Sequence, residues 1–300
     1  MIELHPVTLE DKAWIDPLVW AEGSSSADFN FGNIYLWDKS FHQLVGRCGD
    51  RVIVAPCYED KPFFAWPVGR GDLRPVMEEL AAYAKAHGFP FTLRGVTAAH
   101  LPLLEELFPG RHAVESERPL WDYIYSAEKL ATLSGKHLHG KRNHINRFEA
   151  ENDWSFSPLA PGDFPECTAL LREWLSENPE DIDAGASDEF IAIERAFEAF
   201  EPLGLDGGIL RVEGKPVAFT IGERVCAHTY VVHFEKAHGD INGAYPMINR
   251  EFVRHIREKY PDTLWINRED DMGLESLRQS KESYHPDHMV EKYTVVITDD

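Results

Sequence analysis

Gly208-Ile209-Leu210-Arg211-Val212-Glu213-Gly214-Lys215-Pro216-Val217-Ala218-Phe219-Thr220-Ile221 is the stretch on which the fold of this chain turns. Two apolar runs flank Glu213-Gly214-Lys215, so the segment predicts an antiparallel hairpin. The glycine and lysine also sit near a phosphate-loop pattern. The glycine spacing is wrong, however, and Pro216 stands where a Ser or Thr would bind magnesium, so the hairpin reading prevails. Moving outward toward the C-terminus, residues 227–235 read as a strand, 245–259 as a helix and 263–267 as a strand. A helix at 274–280 and a last strand at 290–297 follow. Toward the N-terminus, residues 187–199 and 162–177 read as helices, the latter with apolar Phe164, Leu170, Leu171 and Trp174. Residues 154–159 read as a strand, and 142–151 and 127–133 as helices. Strands and helices that alternate around an antiparallel hairpin mean an α/β chain with mixed sheets.

The first half has the same rhythm. Thr8 and Asp11 fit a capping box before a helix, and Gly49-Asp50 joins strands near 41–47 and 51–57. A strand at 63–67 precedes an amphipathic helix at 73–87, stopped by Gly88 and Pro90. A strand at 91–95, a helix at 100–108 and a strand at 121–125 complete it. No residue-level repeat links the halves, so duplication is a topological inference. The expected domains are residues 1–126 and 127–300, with most of the site in the second.

Composition narrows the function. A net charge of −21 repels polyanions in general, so DNA is not an expected partner, although a local basic pocket is not excluded. No run of about 18 apolar residues is present, so no transmembrane segment is expected. The N-terminus has no basic region followed by an apolar run. Cys48, Cys57, Cys167 and Cys226 lie far apart and read as reduced thiols. A cytoplasmic protein is the expectation. No nucleophile elbow of the G-x-S-x-G type occurs. His137, His139 and His144 lie among cations, which oppose a divalent metal, so no metal site is expected.

Five segments are candidates for chemistry. Residues 136–148 form the dense basic run of an acidic chain. Lys136, His139, Lys141, Arg142, Asn143, Asn146 and Arg147 are the candidate anion contacts, while Ile145 and Phe148 anchor one helix face. Arg at a helix start opposes the macrodipole, which favours an anionic partner; the alternative is a solvated face pairing with Glu149 and Glu151. On the strand through residues 230–236, alternation puts His233 and Glu235 on one face, as base and orienter or as a satisfied polar pair. Gly243 ends a turn that either exposes N–H groups to an anion or simply caps the next helix. Asn267 and Arg268 close a strand, where α/β folds hold ligands. Arg278, Lys281 and Tyr284 follow; they either stabilise an acyl carbonyl and leaving group or form an exposed helix end. Residues 24–37 read as capping plus core aromatics, with a substrate cleft as the alternative.

Taken together these segments resemble the bacterial family of unknown function grouped with the C-terminal domain of phosphatidylglycerol lysyltransferases. The resemblance runs nearly end to end. It rests on Phe29-Asn30-Phe31-x-Asn33-x-Tyr35-x-Trp37, Asp122-Tyr123-Ile124-Tyr125, Gly135-Lys136-x-x-His139-x-Lys141-Arg142-Asn143-His144-Ile145-Asn146-Arg147-Phe148, and His233-Phe234-Glu235-Lys236-Ala237. It continues through Asp240-Ile241-x-Gly243-Ala244-Tyr245, Ile266-Asn267-Arg268-Glu269-x-Asp271-x-Gly273 and Leu277-Arg278-x-x-Lys281-x-Ser283-Tyr284-x-Pro286. More distantly, the resemblance implies two tandem GNAT-like (acyl-CoA N-acyltransferase-like) domains, similar to the Fem peptidoglycan aminoacyltransferases that use aminoacyl-tRNA. Arg142 to Ile145 matches the start of their R-x-x-I-x-x-A helix, and Ser280-Lys281-x-x-Tyr284 resembles their F-K-x-x-F element. The acyl-CoA loop of GNAT proteins is only faintly echoed by Asp240-x-x-Gly243-Ala244. The transmembrane flippase of the lysyltransferases has no counterpart in these residues, so a lipid acceptor is not implied.

The expectation is therefore an acyl- or aminoacyltransferase acting on an amine, with no permanently bound cofactor. Its donor is an aminoacyl-tRNA ahead of an acyl-CoA. Its partner is a phosphate-bearing small molecule or a tRNA acceptor end. His233 or Glu235 would take the acceptor's proton, and Lys281 and Tyr284 would stabilise the oxyanion or leaving group. The basic run, Gly243, Asn267, Arg268 and Arg278 would hold the donor. The alternative is a non-catalytic GNAT-like protein that senses an anionic metabolite or a tRNA end.

Overall fold

Asp206–Val212 and Lys215–Arg224 form the expected hairpin, with Val212 opposite Lys215. Glu213 and Gly214 both take positive φ (50° and 78°), the two left-handed positions that a two-residue hairpin turn of matching twist requires. The computed structural model describes residues 2–177 and 187–298. Around this hairpin the sheet order is Trp154–Pro158, Asp206–Val212, Lys215–Arg224, Thr229–Ala237, Trp265–Asn267, Asp122–Ser126 and His288–Val290. Leu210, Phe219, Ile221, Tyr230, Val231 and Ile266 are buried, because both faces of these strands are covered. Helix Ala244–Lys259 covers one face with Met247, Ile248, Phe252, Val253 and Ile256.

Two features of this sheet position the site. The strand Thr229–Ala237 carries an extra residue: Ile221 faces Phe234 and Gly222 faces Val232, so His233 lies in a bulge. In addition, Thr229–Ala237 is parallel to Trp265–Asn267 from Thr229↔Trp265 to Val231↔Asn267, then runs on to Ala237. Polar side chains occupy the region beyond the carboxyl end of the shorter strand.

The chain divides into one unit of Met1–Asp122, Asp270–Glu275 and Met289–Asp300, and another of Tyr123–Glu269 and Ser276–His288. The chain passes from the first unit to the second between Asp122 and Tyr123. Two later segments nevertheless return to the first unit. The reason is strand pairing: Lys292–Ile297 lies between Thr92–Thr97 and His112–Ser116, antiparallel to both. The strand His112–Ser116 has no hydrophobic signature because it is an exposed edge. The first unit also contains the three-stranded sheet His5–Pro6, Leu44–Cys48 and Arg51–Ala55. The Thr8–Asp11 capping box is formed. Asn30 caps the short helix Phe31–Leu36, with Phe29 and Phe31 buried, so residues 24–37 serve as cap and core. No helix among the described residues is long and apolar enough to cross a membrane.

Candidate functional site

The candidate site lies within the second unit, around Glu235. Its Oε1 accepts from Arg268 Nη2 at 2.9 Å and its Oε2 accepts from Asn249 Nδ2 at 3.1 Å. Both side chains of the ion pair are about nine-tenths buried (10% and 9% exposed), so the charges need each other. Glu235 comes from the long strand, Arg268 from the residue after Trp265–Asn267, and Asn249 from helix Ala244–Lys259. The Arg268 guanidinium lies 4.8 Å from the Tyr284 ring centre and 5.9 Å from that of Tyr125. Lys281 Nζ donates to the Arg268 carbonyl at 2.6 Å, and the Tyr125 hydroxyl donates to the Lys281 carbonyl at 2.8 Å. Burial holds the phenols of Tyr125 and Tyr284 well above the ordinary range, so both stay protonated as potential donors.

Lys141 reaches this cluster from helix His139–Glu151. Its Nζ lies 4.1 Å from the centre of the Tyr284 ring. Burial, and then the positive charge of Arg268, lower its pKa to about 8 against the opposing pull of Glu235. Lys141, Ile145 and Phe148 are spaced by four and three residues, so they share the inward face of the helix. The spacing alone argued that Lys141 points inward, whereas reading the whole run as one cationic surface concealed it.

His233 is enclosed. Nδ1 lies 2.7 Å from Glu269 Oε1 and Nε2 lies 3.0 Å from Glu223 Oε1, and its ring is fully buried. Burial opposes its charge, but the hydrogen bonds and charges of Glu223 and Glu269 outweigh that and raise its pKa to about 10. A ring held as imidazolium at neutral pH has no lone pair with which to take a proton. The bulge separates it from Glu235, which binds Arg268 and Asn249 instead. Glu269 itself sits at φ 57°, its N–H bonded to Asn267 Oδ1 at 2.6 Å. Asn267 is therefore used to hold this turn.

The remaining expected residues divide by their contacts. Arg142 Nη1 donates to the carbonyls of Leu133 and, at 2.7 Å, Gly135, and so fastens the helix to the preceding loop. Arg147 Nε pairs with both oxygens of Glu151, at 2.9 and 3.0 Å. Lys136, His139, Asn143 and Asn146 are exposed, and His139, Asn143, Asn146 and Arg147 form one outward stripe. Gly243 precedes helix Ala244–Lys259 at φ 90°; a Cβ there would lie 2.6 Å from the His144 carbonyl oxygen. It thus permits close approach of two helices. His144 Nδ1 and Asn242 Oδ1, 2.7 Å apart, close the same junction. Arg278 is half-buried on helix Glu275–Glu282. Glu223 and Asn249 carried no signal in the sequence, and Glu269 and Tyr125 stood only within the motifs of the resemblance, because the tertiary partners of a side chain leave no periodic mark.

A family model described as phosphatidylglycerol lysyltransferase, C-terminal, matches residues 22–296. A solved structure of a conserved protein of unknown function from Bacteroides thetaiotaomicron is 37% identical, with a TM-score of 0.95, covering 99% of this chain and 100% of that chain. L-PGS from Bacillus licheniformis is 16% identical, with a TM-score of 0.67 over 98% of this chain and 93% of that one. FemX (9% identical, TM-score 0.58, 97% and 96% covered) and a tandem GNAT protein from the clavulanic acid biosynthesis pathway (10%, 0.50, 100% and 100%) share the architecture. These likenesses show the fold: a tandem GNAT-like α/β arrangement. The uncharacterized protein MYCGA3080 of Mycoplasmoides gallisepticum is 27% identical over 186 residues, which are 59% of this chain and 56% of that protein. The match thus spans little more than half of that relative's length.

Proposed function

We propose, from the premise that this chain belongs to the family of the phosphatidylglycerol lysyltransferase C-terminal domain, that it transfers an aminoacyl group from an aminoacyl-tRNA to an amine. The observation that carries this reading is Lys141, whose half-buried amine, with a pKa of about 8, stands over the Tyr284 ring within reach of the charges of Arg268 and Glu235. An amine with a pKa near the working pH is suited to general base and acid work.

In the proposed step the acceptor nitrogen attacks the carbonyl carbon of the aminoacyl ester and forms the new C–N bond. The nitrogen's proton passes to neutral Lys141. The carbonyl oxygen, as it gains charge, meets the Arg268 guanidinium and the Tyr284 phenol. When the intermediate collapses, the bond from the carbonyl carbon to the ribose oxygen breaks, and that oxygen takes the proton back from Lys141. Lys281 positions Arg268 through its carbonyl, and His233 positions Glu269 in the adjoining turn. No covalent enzyme intermediate is needed, because orientation and electrostatics supply the acceleration.

Two features favour tRNA over acyl-CoA as the carrier. The outward stripe of His139, Asn143, Asn146 and Arg147, with Lys136 nearby, offers cationic and polar groups to phosphates on an otherwise acidic chain. The turn before helix Ala244–Lys259, where the faint acyl-CoA motif lies, is packed against His144 and Phe148. Ala244 N–H is bonded to Ile241, Met247 N–H to Gly243, and Pro246 has no N–H, which leaves that helix start poor in donors for a diphosphate.

The test is transfer itself. tRNA charged with radiolabelled amino acids is incubated with the protein and a panel of primary amines, and base-stable amide product is counted. Amide should form faster than without protein, and Lys141→Met should lower the rate by roughly 10²–10⁴-fold. No acceleration with any charged tRNA and amine, or wild-type turnover by Lys141→Met, overturns the reading.

A further inference from the structure

In the first unit, Phe64–Ala65, Thr92–Thr97, Lys292–Ile297 and His112–Ser116 form a four-stranded sheet in that order. One apolar row crosses it: Phe64 faces Leu93, Leu93 faces Val295, and Val295 faces Val114. The first three are 0% exposed, whereas Val114 is 45% exposed. The row therefore reaches the edge strand and stops there uncovered. The backbone of that strand also points outward. The Thr298 N–H donates to the Arg111 carbonyl at 2.9 Å, and the Glu117 N–H to the Lys292 carbonyl at 3.0 Å. Odd-numbered residues thus bond the inner neighbour, and alternation turns the N–H and C=O groups of His112, Val114 and Ser116 away from the sheet.

We infer that this edge pairs with the same edge of a second copy of the chain, antiparallel about a two-fold axis at Val114. Such an interface is isologous, so the strand must be complementary to itself. In this register Val114 faces the partner's Val114, which joins the two apolar rows, and His112 faces the partner's Ser116. Arg111 faces the partner's Glu117 and lies diagonal to the partner's Glu115. Glu117 keeps its own Arg94, 2.7 Å away, and Arg111 adds a second cation. Glu115, an exposed charge of the kind that keeps edge strands apart, stands opposite the partner's Ala113. An axis at Glu115 instead would set two Glu115 side chains face to face. An axis at Ala113 would give up both the valine contact and the Glu117 pair. The charges thus single out the Val114 register. The net charge of −21 opposes association, but at about 0.15 M salt that repulsion is screened beyond about 8 Å. None of these residues belongs to the site around Glu235, so the inference stands apart from aminoacyl transfer.

Sedimentation equilibrium of the full chain at about 0.15 M salt should show a reversible monomer–dimer equilibrium. The average mass should approach twice that of one chain at roughly 100 μM protein, as a small interface of micromolar affinity requires. Val114→Lys sets two ammonium groups together at the axis and should stay monomeric, with its melting temperature checked in dilute solution. A second pair of variants reads the register. Paired residues at the axis have Cα atoms about 5.5 Å apart, within the range of about 4.4–6.8 Å that a disulfide spans. Mild oxidation should therefore link Val114→Cys into a covalent dimer. Ser116→Cys, which faces the partner's His112, should link no more than the wild-type chain with its own four cysteines. A wild-type chain that is monomeric at every concentration overturns the inference, whether the edge stays open or takes a strand from another protein. A dimer that persists in folded Val114→Lys overturns it too, since its interface lies elsewhere. So does Ser116→Cys linking as readily as Val114→Cys, an outcome that decides the matter even if Val114→Lys fails to fold.

Discussion

The amine of Lys141 lies 4.1 Å from the centre of the Tyr284 ring, on the inward face of its helix, and this contact shields part of a lysine from water. Attraction of a cation to the ring favours the charged form, while burial and Arg268 disfavour it. The net shift is downward, so desolvation wins. Lys141 should therefore be neutral above pH 8, where ordinary lysines are still charged. Limited labelling with an amine-specific reagent across pH, read by mass spectrometry, should give Lys141 a half-point near 8, well below that of a free lysine side chain in a reference peptide. Tyr284→Ala should let water in and move the Lys141 half-point upward. A Lys141 half-point equal to that of the reference peptide would contradict its assignment as proton carrier.

His233 makes the opposite prediction. Its folded-state pKa of about 10 exceeds the value near 6.5 of an unfolded chain, so its charge stabilises the fold. That contribution is fully present below about pH 6.5 and is lost as pH rises through about 10. His233→Gln should lower the melting temperature most at neutral and acidic pH and converge on wild type at high pH. Replacement also leaves Glu223 and Glu269 facing one another without a cation. Imidazole nitrogen NMR at pH 8 should show both nitrogens protonated; a neutral tautomer there would rule out the imidazolium assignment.

Arg142 distinguishes a scaffold from a binding surface. Its bonds to the carbonyls of Leu133 and Gly135 tie the helix His139–Glu151 to the loop before it. Arg142→Ala should cost on the order of 1.5–3 kcal/mol in urea unfolding, as expected for hydrogen bonds to a charged group. Arg142→Lys should restore part of that, since one ammonium replaces a planar fork. Affinity for charged tRNA, expressed per folded molecule, should be unchanged. A large loss of affinity with no loss of stability would return Arg142 to the ligand.

What was legible in the sequence follows from periodicity. The hairpin through Gly214, the helices 74–87 and 244–259 and the long strand all have strong apolar repeats and clear turn residues, and each forms as expected. Alternation put His233 and Glu235 side by side. One bulged residue gave them different partners, and a bulge leaves no mark in the pattern. The partners of His233 lie 10 and 36 residues away, a distance only the tertiary fold closes. The final strand read clearly as a strand, but its sheet did not, because pairing partners are chosen by packing and not by local propensity.

That final strand carries a buried lysine whose removal should be felt throughout the first unit. Lys292 is 1% exposed, and its Nζ donates to Asp28 Oδ1 and Asp122 Oδ1, both at 2.7 Å. Asp122 Oδ2 also accepts from the Ala27 N–H at 2.9 Å, so the cluster joins three distant segments. The two carboxylates hold the Lys292 pKa well above its ordinary value despite burial. Lys292→Met keeps the stem's volume and removes the charge, leaving Asp122 buried and Asp28 half-buried without their cation. Breaking a buried pair on one side costs roughly 3–5 kcal/mol, so the urea midpoint should fall sharply. Replacing all three groups, by Asp28→Asn, Asp122→Asn and Lys292→Met together, should cost less than Lys292→Met alone, because no uncompensated charge remains. Stability that is insensitive to Lys292→Met, or a triple variant weaker than the single by the full sum of its parts, would mean that the cluster is not a coupled ionic unit.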